Sequence, residues 1–380
     1  MSASGTERTP SGHPVLRKIN ICAPIPSGMK IVFVIGARPQ YIKLHPLMCR
    51  LEKRHDTIFV DTGQHYDYEM SEIFLRELGL RAPEYNLNAG SGSHARQTGE
   101  IMLRLEPILE KEAPDLVVVV GDTNSTLAGA LTSVKMRIPV AHVEAGLRRF
   151  DLTMPEEVNR VVSDHVSDLL FAPTEIAMKN LEHEGLGAKS YLVGDVMYDT
   201  FLAFRETGGK DILDKLGLPE KGYTLATVHR ACNTDIRENL ESILQAFEEC
   251  GKRIVFPMHP RTKKMIDQFG LRIRSNNVLV TEPVGYLEML CLEMHARKII
   301  TDSGGVQKEA YLAGVPCITL LTFSEWVETV ECGWNFLAGT DKTRILWALE
   351  HFEGGRDHPD LFGDGHAAEK IVRVIEEKIE

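Results

Sequence analysis

Within one stretch, Gly121 to Arg160 (GDTNSTLAGALTSVKMRIPVAHVEAGLRRFDLTMPEEVNR), the spacing of Asp122, Glu144 and Glu156 is the first sign of chemistry. Asp122 follows the apolar run Leu116–Val120, and Glu144 follows a second short β-like run at Pro139–His142. Glu156, with Glu157, stands behind Pro155 at what reads as a helix start. In an open parallel sheet the carboxyl ends of the strands face the ligand crevice, so these groups are expected on one rim, with His142 and Arg148 beside them. Carboxylates crowded and desolvated together hold protons more tightly, which suits them to proton exchange near neutral pH. The same residues also suit a plainer role. Asp122 could cap a helix beginning near Thr123, and the glutamates could complement a helix N-terminus. Both readings stand at this point.

Further polar clusters follow other apolar runs. KIVFVIG is followed by Arg38 and Lys43, two cations at the mouth of a strand and first helical turn, where phosphate oxygens are well received. One glycine there is not the GxGxxG fingerprint, so no nicotinamide cofactor is expected. Gln64 and His65 follow the run TIFVD. His229-Arg230-Ala231-Cys232-Asn233 follows TLATV, and Thr301-Asp302-Ser303-Gly304-Gly305 leads to Glu309. In the last cluster Ser303 and the two glycines can open a helix whose free N–H groups bind an anion, with Glu309 placed to accept from ribose hydroxyls.

The elements that must hold these groups read as alternating β and α segments, which implies a doubly wound parallel sheet. Strands are expected at Leu116–Val120, Leu169–Ala172 and Ser190–Val193, with a helix over Thr98–Lys111 and a long mobile loop from Tyr85 to Gln97. A second series begins near Tyr223 and includes strands at Val278–Thr281 and Lys298–Thr301 and a helix at Tyr286–His295. The expected architecture is α/β, two Rossmann-like domains with an intervening cleft. Residues 1–28 are expected to be a loose leader, 29–200 the first domain with the acid/base groups, and 201–364 the second. Residues 365–380, including the helix Ala367–Lys378, are expected to pack back towards the first.

A chain of 380 residues exceeds the usual single-core size. Its net charge of −11 and lack of a polybasic run argue against general nucleic-acid or membrane-surface binding. Seven scattered cysteines without a CxxC pair fit a reducing, cytoplasmic setting and give no zinc signature, so no metal is expected. The longest apolar runs are strand-sized, and the first 28 residues lack the apolar centre of a signal peptide.

Read in order, GARPQYIK, GQHYD, GDTNSTLAGAL, HVEAGLR, MPEEVNR, HRACNTD, TDSGGVQKEA and SEWVETVECGWN resemble the non-hydrolysing UDP-N-acetylglucosamine 2-epimerases, from Met29 to Glu380. The resemblance implies a GT-B-like fold and a UDP-sugar substrate. It also implies reversible C2 epimerisation by anti elimination of UDP to a 2-acetamidoglucal, followed by re-addition. It makes Asp122, Glu144 and Glu156 the acid/base candidates, with His229 supporting the leaving diphosphate and Arg38 and Lys43 near the phosphates. Ser303, Gly304, Gly305 and Glu309 match the UDP site, with Glu309 on ribose. Gln64 and His65 match positions that in some members contact a second, activating UDP-GlcNAc. Homodimerisation is implied by the resemblance alone. GARPQ in place of the commoner GTRPE, with PVGYLEML and GGVQKEAY, resembles the branch acting on UDP-2,3-diacetamido-2,3-dideoxyglucuronate. Two positions depart from the family pattern: Cys232 stands where an acidic residue is usual, and Leu321 where an Arg is usual. Losing an Arg beside a diphosphate removes a charge-assisted bond worth roughly 1.5–3 kcal/mol. A retaining UDP-sugar glycosyltransferase, a hydrolysing epimerase and a UDP-sugar sensor without turnover are the competing expectations.

Overall fold

The computed structural model describes residues 28–64, 74–207, 209 and 211–379. The expected leader, apart from Gly28, and His65 lie outside the described residues, and so does the side chain of Arg38. Two all-parallel sheets carry the chain. The first contains β1 (Lys30–Ile35), β2 (Asp56–Asp61), β3 (Tyr85–Asn86), β4 (Leu116–Val120), β5 (Val140–Val143), β6 (Leu169–Ala172) and β7 (Ser190–Leu192), in the order β3-β2-β1-β4-β5-β6-β7. The second contains β8 (Thr224–Thr227), β9 (Ile254–Pro257), β10 (Val278–Thr281), β11 (Lys298–Thr301), β12 (Cys317–Thr319) and β13 (Asn335–Leu337), in the order β10-β9-β8-β11-β12-β13. This is a GT-B-like pair of Rossmann sheets, each reversing direction between its first and fourth strands.

The central strands are apolar on both faces because helices cover both. Ile31, Phe33, Ile35, Val118 and Val120 point to a core shared with Leu44 and Leu47 of the helix Arg38–Leu51. Their alternate neighbours Val32, Val34, Val117 and Val119 face Ile101 and Leu105 of the helix His94–Glu112. The helix Asn124–Lys135 approaches so closely that a Cβ at Gly129 would lie 2.9 Å from Val119 Cγ1. The C-terminal helix Ala367–Lys378 buries Ile371 and Ile375 in the first core, and Asp199 accepts hydrogen bonds from Ala367 N (3.0 Å) and Ala368 N (2.9 Å) at its start.

The stretch Tyr85–Gln97 departs from the expected mobile loop. Its first two residues form β3, and the helix expected from Thr98 starts at His94. Side chains supply what sheet pairing does not. Gln97 Nε2 donates to Gly90 O (2.5 Å), and Arg104 Nη1 donates to Leu87 O (2.8 Å) and Asn88 O (2.7 Å). The Gly-Ser run is thus tied down over part of its length, a long-range effect that composition does not register.

Candidate functional site

The reversals of the two sheets place four loops at two crevices: those after β1 and β4 in the first, and those after β8 and β11 in the second. Gln40 shapes the first of these. Its Oε1 accepts from Gly36 N (2.8 Å) and Ala37 N (2.9 Å), while its Nε2 donates to Val120 O (2.6 Å) and Thr126 Oγ1 (3.2 Å). Only an amide can do both, which gives the Gln of GARPQ a structural reason. Arg38 opens the helix Arg38–Leu51, and Lys43 reaches from it into the site.

Glu144 leaves β5 with a left-handed φ of 70°, a conformation that costs a non-glycine residue about 1–3 kcal/mol. The backbone turn buries its carboxylate between two ammonium groups: Lys43 Nζ donates to Oε1 (2.6 Å) and Lys308 Nζ to Oε2 (2.9 Å). Lys308 also donates to Asp195 Oδ2 (2.5 Å) and lies 4.2 Å from the centre of the Trp326 ring. Burial works to raise the Glu144 pKa, but Lys308 and Lys43 outweigh it and hold the carboxyl down to about 2. This corrects the expectation that crowded acids would retain protons here. The crowding is of cations, and Glu144 is an anion at neutral pH.

Asp122 likewise is not clustered with like charge. Arg160 Nη2 donates to its Oδ2 (2.6 Å), and Thr123, not Asp122, caps the following helix by accepting from Thr126 N. The helix-cap expectation therefore does not describe Asp122, whose carboxylate is paired with a cation instead. Glu157 is buried and accepts from Arg149 N (2.8 Å), Phe150 N (2.7 Å) and Arg160 Nη1 (2.9 Å), so its work is to fold the preceding loop. Glu156 is half-buried and has no hydrogen bond or ion pair among the described side chains. It sits one helical turn before Arg160, on the same face, beside the Asp122–Arg160 pair. His142 and Arg148, expected beside the acids, belong to the scaffold. His142 places Nδ1 2.7 Å from Asp164 Oδ1 and Nε2 2.7 Å from Gly121 O, and Arg148 pairs with Asp164 (2.7 Å) and Glu184 (2.7 Å).

On the facing side Asp302, fully buried, organises the loop after β8. It accepts from His229 N (3.0 Å), Arg230 N (2.9 Å) and Asn233 Nδ2 (3.0 Å), and it lies 3.2 Å from His229 Nδ1. The imidazole is thereby oriented, with Nε2 turned away from Asp302. Ser303 caps the helix Gly304–Leu312, and Trp326 Nε1 donates to Gly304 O (3.0 Å). The expected ribose ligand Glu309 is almost enclosed, and burial lifts its pKa to about 7 against the opposing pull of Lys308. Behind it Glu293 is fully buried with neither carboxyl oxygen partnered, and burial, then the charge of Glu309, pushes it well above the carboxylate range.

The sides meet at Glu325, whose Oε1 lies 3.9 Å from Arg149, 3.7 Å from Arg160 and 3.7 Å from Arg230. A Cβ on Gly304 would lie 3.7 Å from its Oε2. Leu321 is buried, so no cation arises there, but the Arg149 guanidinium lies 3.1 Å from the centre of the Phe323 ring, two residues further along that loop. Asp122 is thus linked through Arg160 to Glu325, which also neighbours Arg230 and Gly304, while Lys43 and Glu144 are linked to the second half through Lys308. Gln64 is held by the neighbouring helix instead: its Oε1 accepts from Ser125 N (3.1 Å) and Ser125 Oγ (2.6 Å). Nothing in the local sequence gave a role to Lys308, Asp195, Glu325 or Arg149. The one available signal was a lysine and two acids on helix and loop segments otherwise built to be buried.

The family model described as UDP-N-acetylglucosamine 2-epimerase matches residues 48–376. A Methanococcus maripaludis protein named UDP-N-acetylglucosamine 2-epimerase homolog is 53% identical over 354 residues, covering 91% of this chain and 99% of that one. The UDP-2,3-diacetamido-2,3-dideoxy-D-glucuronate 2-epimerase of Pseudomonas aeruginosa is 44% identical over 358 residues, covering 91% and 99%. Among solved structures, the Methanocaldococcus jannaschii UDP-GlcNAc 2-epimerase in complex with UDP-GlcNAc and UDP superposes with a TM-score of 0.86 at 45% identity, covering 92% of this chain and all of that one.

Proposed function

The chain belongs to the UDP-N-acetylglucosamine 2-epimerase family, and from that premise we propose that it inverts C2 of a UDP-2-acetamido sugar without net hydrolysis. The sugar is UDP-GlcNAc, giving UDP-ManNAc, or the 2,3-diacetamido-glucuronate equivalent. The observation that supports the reading is that Glu325 neighbours Arg160 of the first half and Arg230 and Gly304 of the second, so that two unlike sets of groups meet there. Asp122, Glu144 and Glu156 belong to one. The N-terminus of the helix Gly304–Leu312, His229 and Arg230 belong to the other.

Each side supplies what elimination needs. The C2–H bond breaks, its electron pair becomes the C1=C2 double bond, and the C1–O pair leaves with UDP. Re-addition returns a proton to the opposite face of C2. The sequence of steps is redox-neutral. The C2 proton is weakly acidic until C1–O stretches, so a base at C2 and positive charge at the diphosphate act together. Backbone N–H groups at Gly304 and Gly305, with His229 held by Asp302, support the departing diphosphate. Two different groups must act on the two faces of the planar glucal. Glu144, ionised in its lysine cage, suits stabilisation of positive charge at C1, and the lysines that hold its pKa down make it a poor proton acceptor and no donor at neutral pH. Asp122 and Glu156, both partly exposed, are the groups that exchange protons with the substrate. We assign 29–200 to the acid/base domain and 201–364 to the UDP-binding domain, with closure expelling water from the reacting carbon. The UDP-binding assignment includes Glu309 on ribose.

The deciding experiment is deuterium incorporation at C2 from heavy water, run in parallel on UDP-GlcNAc and UDP-2,3-diacetamido-glucuronate. Exchange without free sugar is expected. Free sugar with accumulating UDP would instead indicate a hydrolysing enzyme, and UDP binding without exchange would indicate a sensor.

A further inference from the structure

Lys308 is a cation from the second half of the chain whose ammonium group donates its hydrogen bonds to carboxylates of the first. It is 1% exposed, and its Nζ donates to Glu144 Oε2 and Asp195 Oδ2. Both carboxylates come from the chain of the first sheet, 164 and 113 positions earlier. With Lys43 on the other oxygen, Glu144 has one ammonium on each carboxylate oxygen, which fixes the plane of the carboxylate as well as its charge. Lys308 is supported from below by the Trp326 ring, and the same indole donates its N–H to Gly304 O. Gly304 opens the helix at which the diphosphate is proposed to bind. One unbroken set of contacts therefore runs from that helix start through Trp326 and Lys308 to Glu144.

We propose that Lys308 is a positioning residue of the epimerisation: it makes the seating of the second half of the chain against the first the event that fixes Glu144 in its working orientation. The proposal rests on the epimerase reading for its chemistry but not for its geometry. Separating the halves withdraws Lys308 from both carboxylates and leaves Glu144 with Lys43 alone. Among the described side chains, the charged groups around this pair are Lys43 from the first helix, Asp195 at the start of the helix Val196–Phe204, and Glu309 next to Lys308 in its own helix. None of them replaces the ammonium on Glu144 Oε2. Asp195 is occupied in turn, since its Oδ1 accepts from Met197 N (2.8 Å).

The test uses Lys308→Gln, Lys308→Arg and the double variant Lys308→Gln/Asp195→Asn in the full chain. The double variant restores charge balance at the buried site and separates loss of folding from loss of the ammonium on Glu144. In both variants lacking the lysine, C2 exchange is expected to fall roughly 10²-fold, because a carboxylate free to rotate misplaces its reacting atoms. The acid limb of the kcat/KM profile is expected to move to higher pH, because burial then opposes the Glu144 anion with one lysine in support. Lys308→Arg keeps the charge, so its acid limb is expected to stay near that of the wild type while kcat falls. Titration of Glu144 by carbon-13 NMR reads the same contact without turnover. A Glu144 titration that does not move in the double variant overturns the proposal, and so does wild-type kcat with an unmoved acid limb. A wild-type protein that fails to exchange C2 hydrogen, yet whose Glu144 titration moves on loss of Lys308, would sink the epimerase reading while supporting the hold of Lys308 on Glu144.

Discussion

Replacing Glu144 by Gln removes one negative charge from between two buried lysines while nearly preserving shape. The lysines hold its carboxyl at about 2 instead of the ordinary 4.5. At roughly 1.4 kcal/mol for each tenfold change in proton affinity, that depression corresponds to about 3 kcal/mol of stability at neutral pH. Breaking one partner out of a buried ion pair typically costs about 3–5 kcal/mol, which agrees in size. Because the folded-state pKa is depressed, this contribution is present above the ordinary carboxylate pKa and is lost as pH falls from about 4.5 towards about 2. Denaturant unfolding of wild type and Glu144→Gln should therefore differ by about 3 kcal/mol at neutral pH, and the two should converge on acidification through that window. In the same samples C2 exchange should fall by about 10²-fold or more, while calorimetric UDP binding stays within a few-fold. A Gln variant as stable as wild type at neutral pH would refute the electrostatic argument. Near-normal exchange would refute the assignment of Glu144 to the reaction.

Gln40→Glu should destabilise the first half by about 1–3 kcal/mol, measurable by thermal unfolding. It removes the donor to Val120 O and sets a carboxylate against two buried acceptors. Glu293→Gln should raise stability increasingly with pH above the ordinary carboxylate range. Burial keeps the folded acid protonated while the unfolded one ionises, so the wild type loses ground by about 1.4 kcal/mol per pH unit there and the amide does not; parallel stability profiles for the two proteins would contradict this. Ser303→Ala and Glu309→Gln should weaken UDP binding before they slow exchange, as seen by titration calorimetry, because they alter the nucleotide side of the crevice.

The sequence by itself determined the elements and the list of polar groups at their ends. The run Leu116–Val120 is apolar at every position because both faces of a parallel sheet are covered, and Lys298–Thr301 keeps that character at Ile299 and Ile300. The helices Tyr286–His295 and Ala367–Lys378 carry their own boundaries. These are local properties, set by side-chain period and backbone sterics within about ten residues. The start of the helix at His94 was not local, since the segment before it is held by Gln97 and Arg104 reaching back to its carbonyls. Nor was the electrostatic state of the site. The acids at Asp122 and Glu144 were visible as a cluster of like charge, and alone they would have repelled one another and held their protons. Arg160 lies 38 positions from Asp122, and Lys43 and Lys308 lie 101 and 164 positions from Glu144. Folding of the first half brings Arg160 and Lys43 within 3 Å of the carboxylates, and the packing of the second half against it brings Lys308 there. Charge interaction depends on distance in space and on the water excluded around it. The sign of the pKa shift at Glu144 was therefore a property of the tertiary structure, and the sequence order of the residues carried no trace of it.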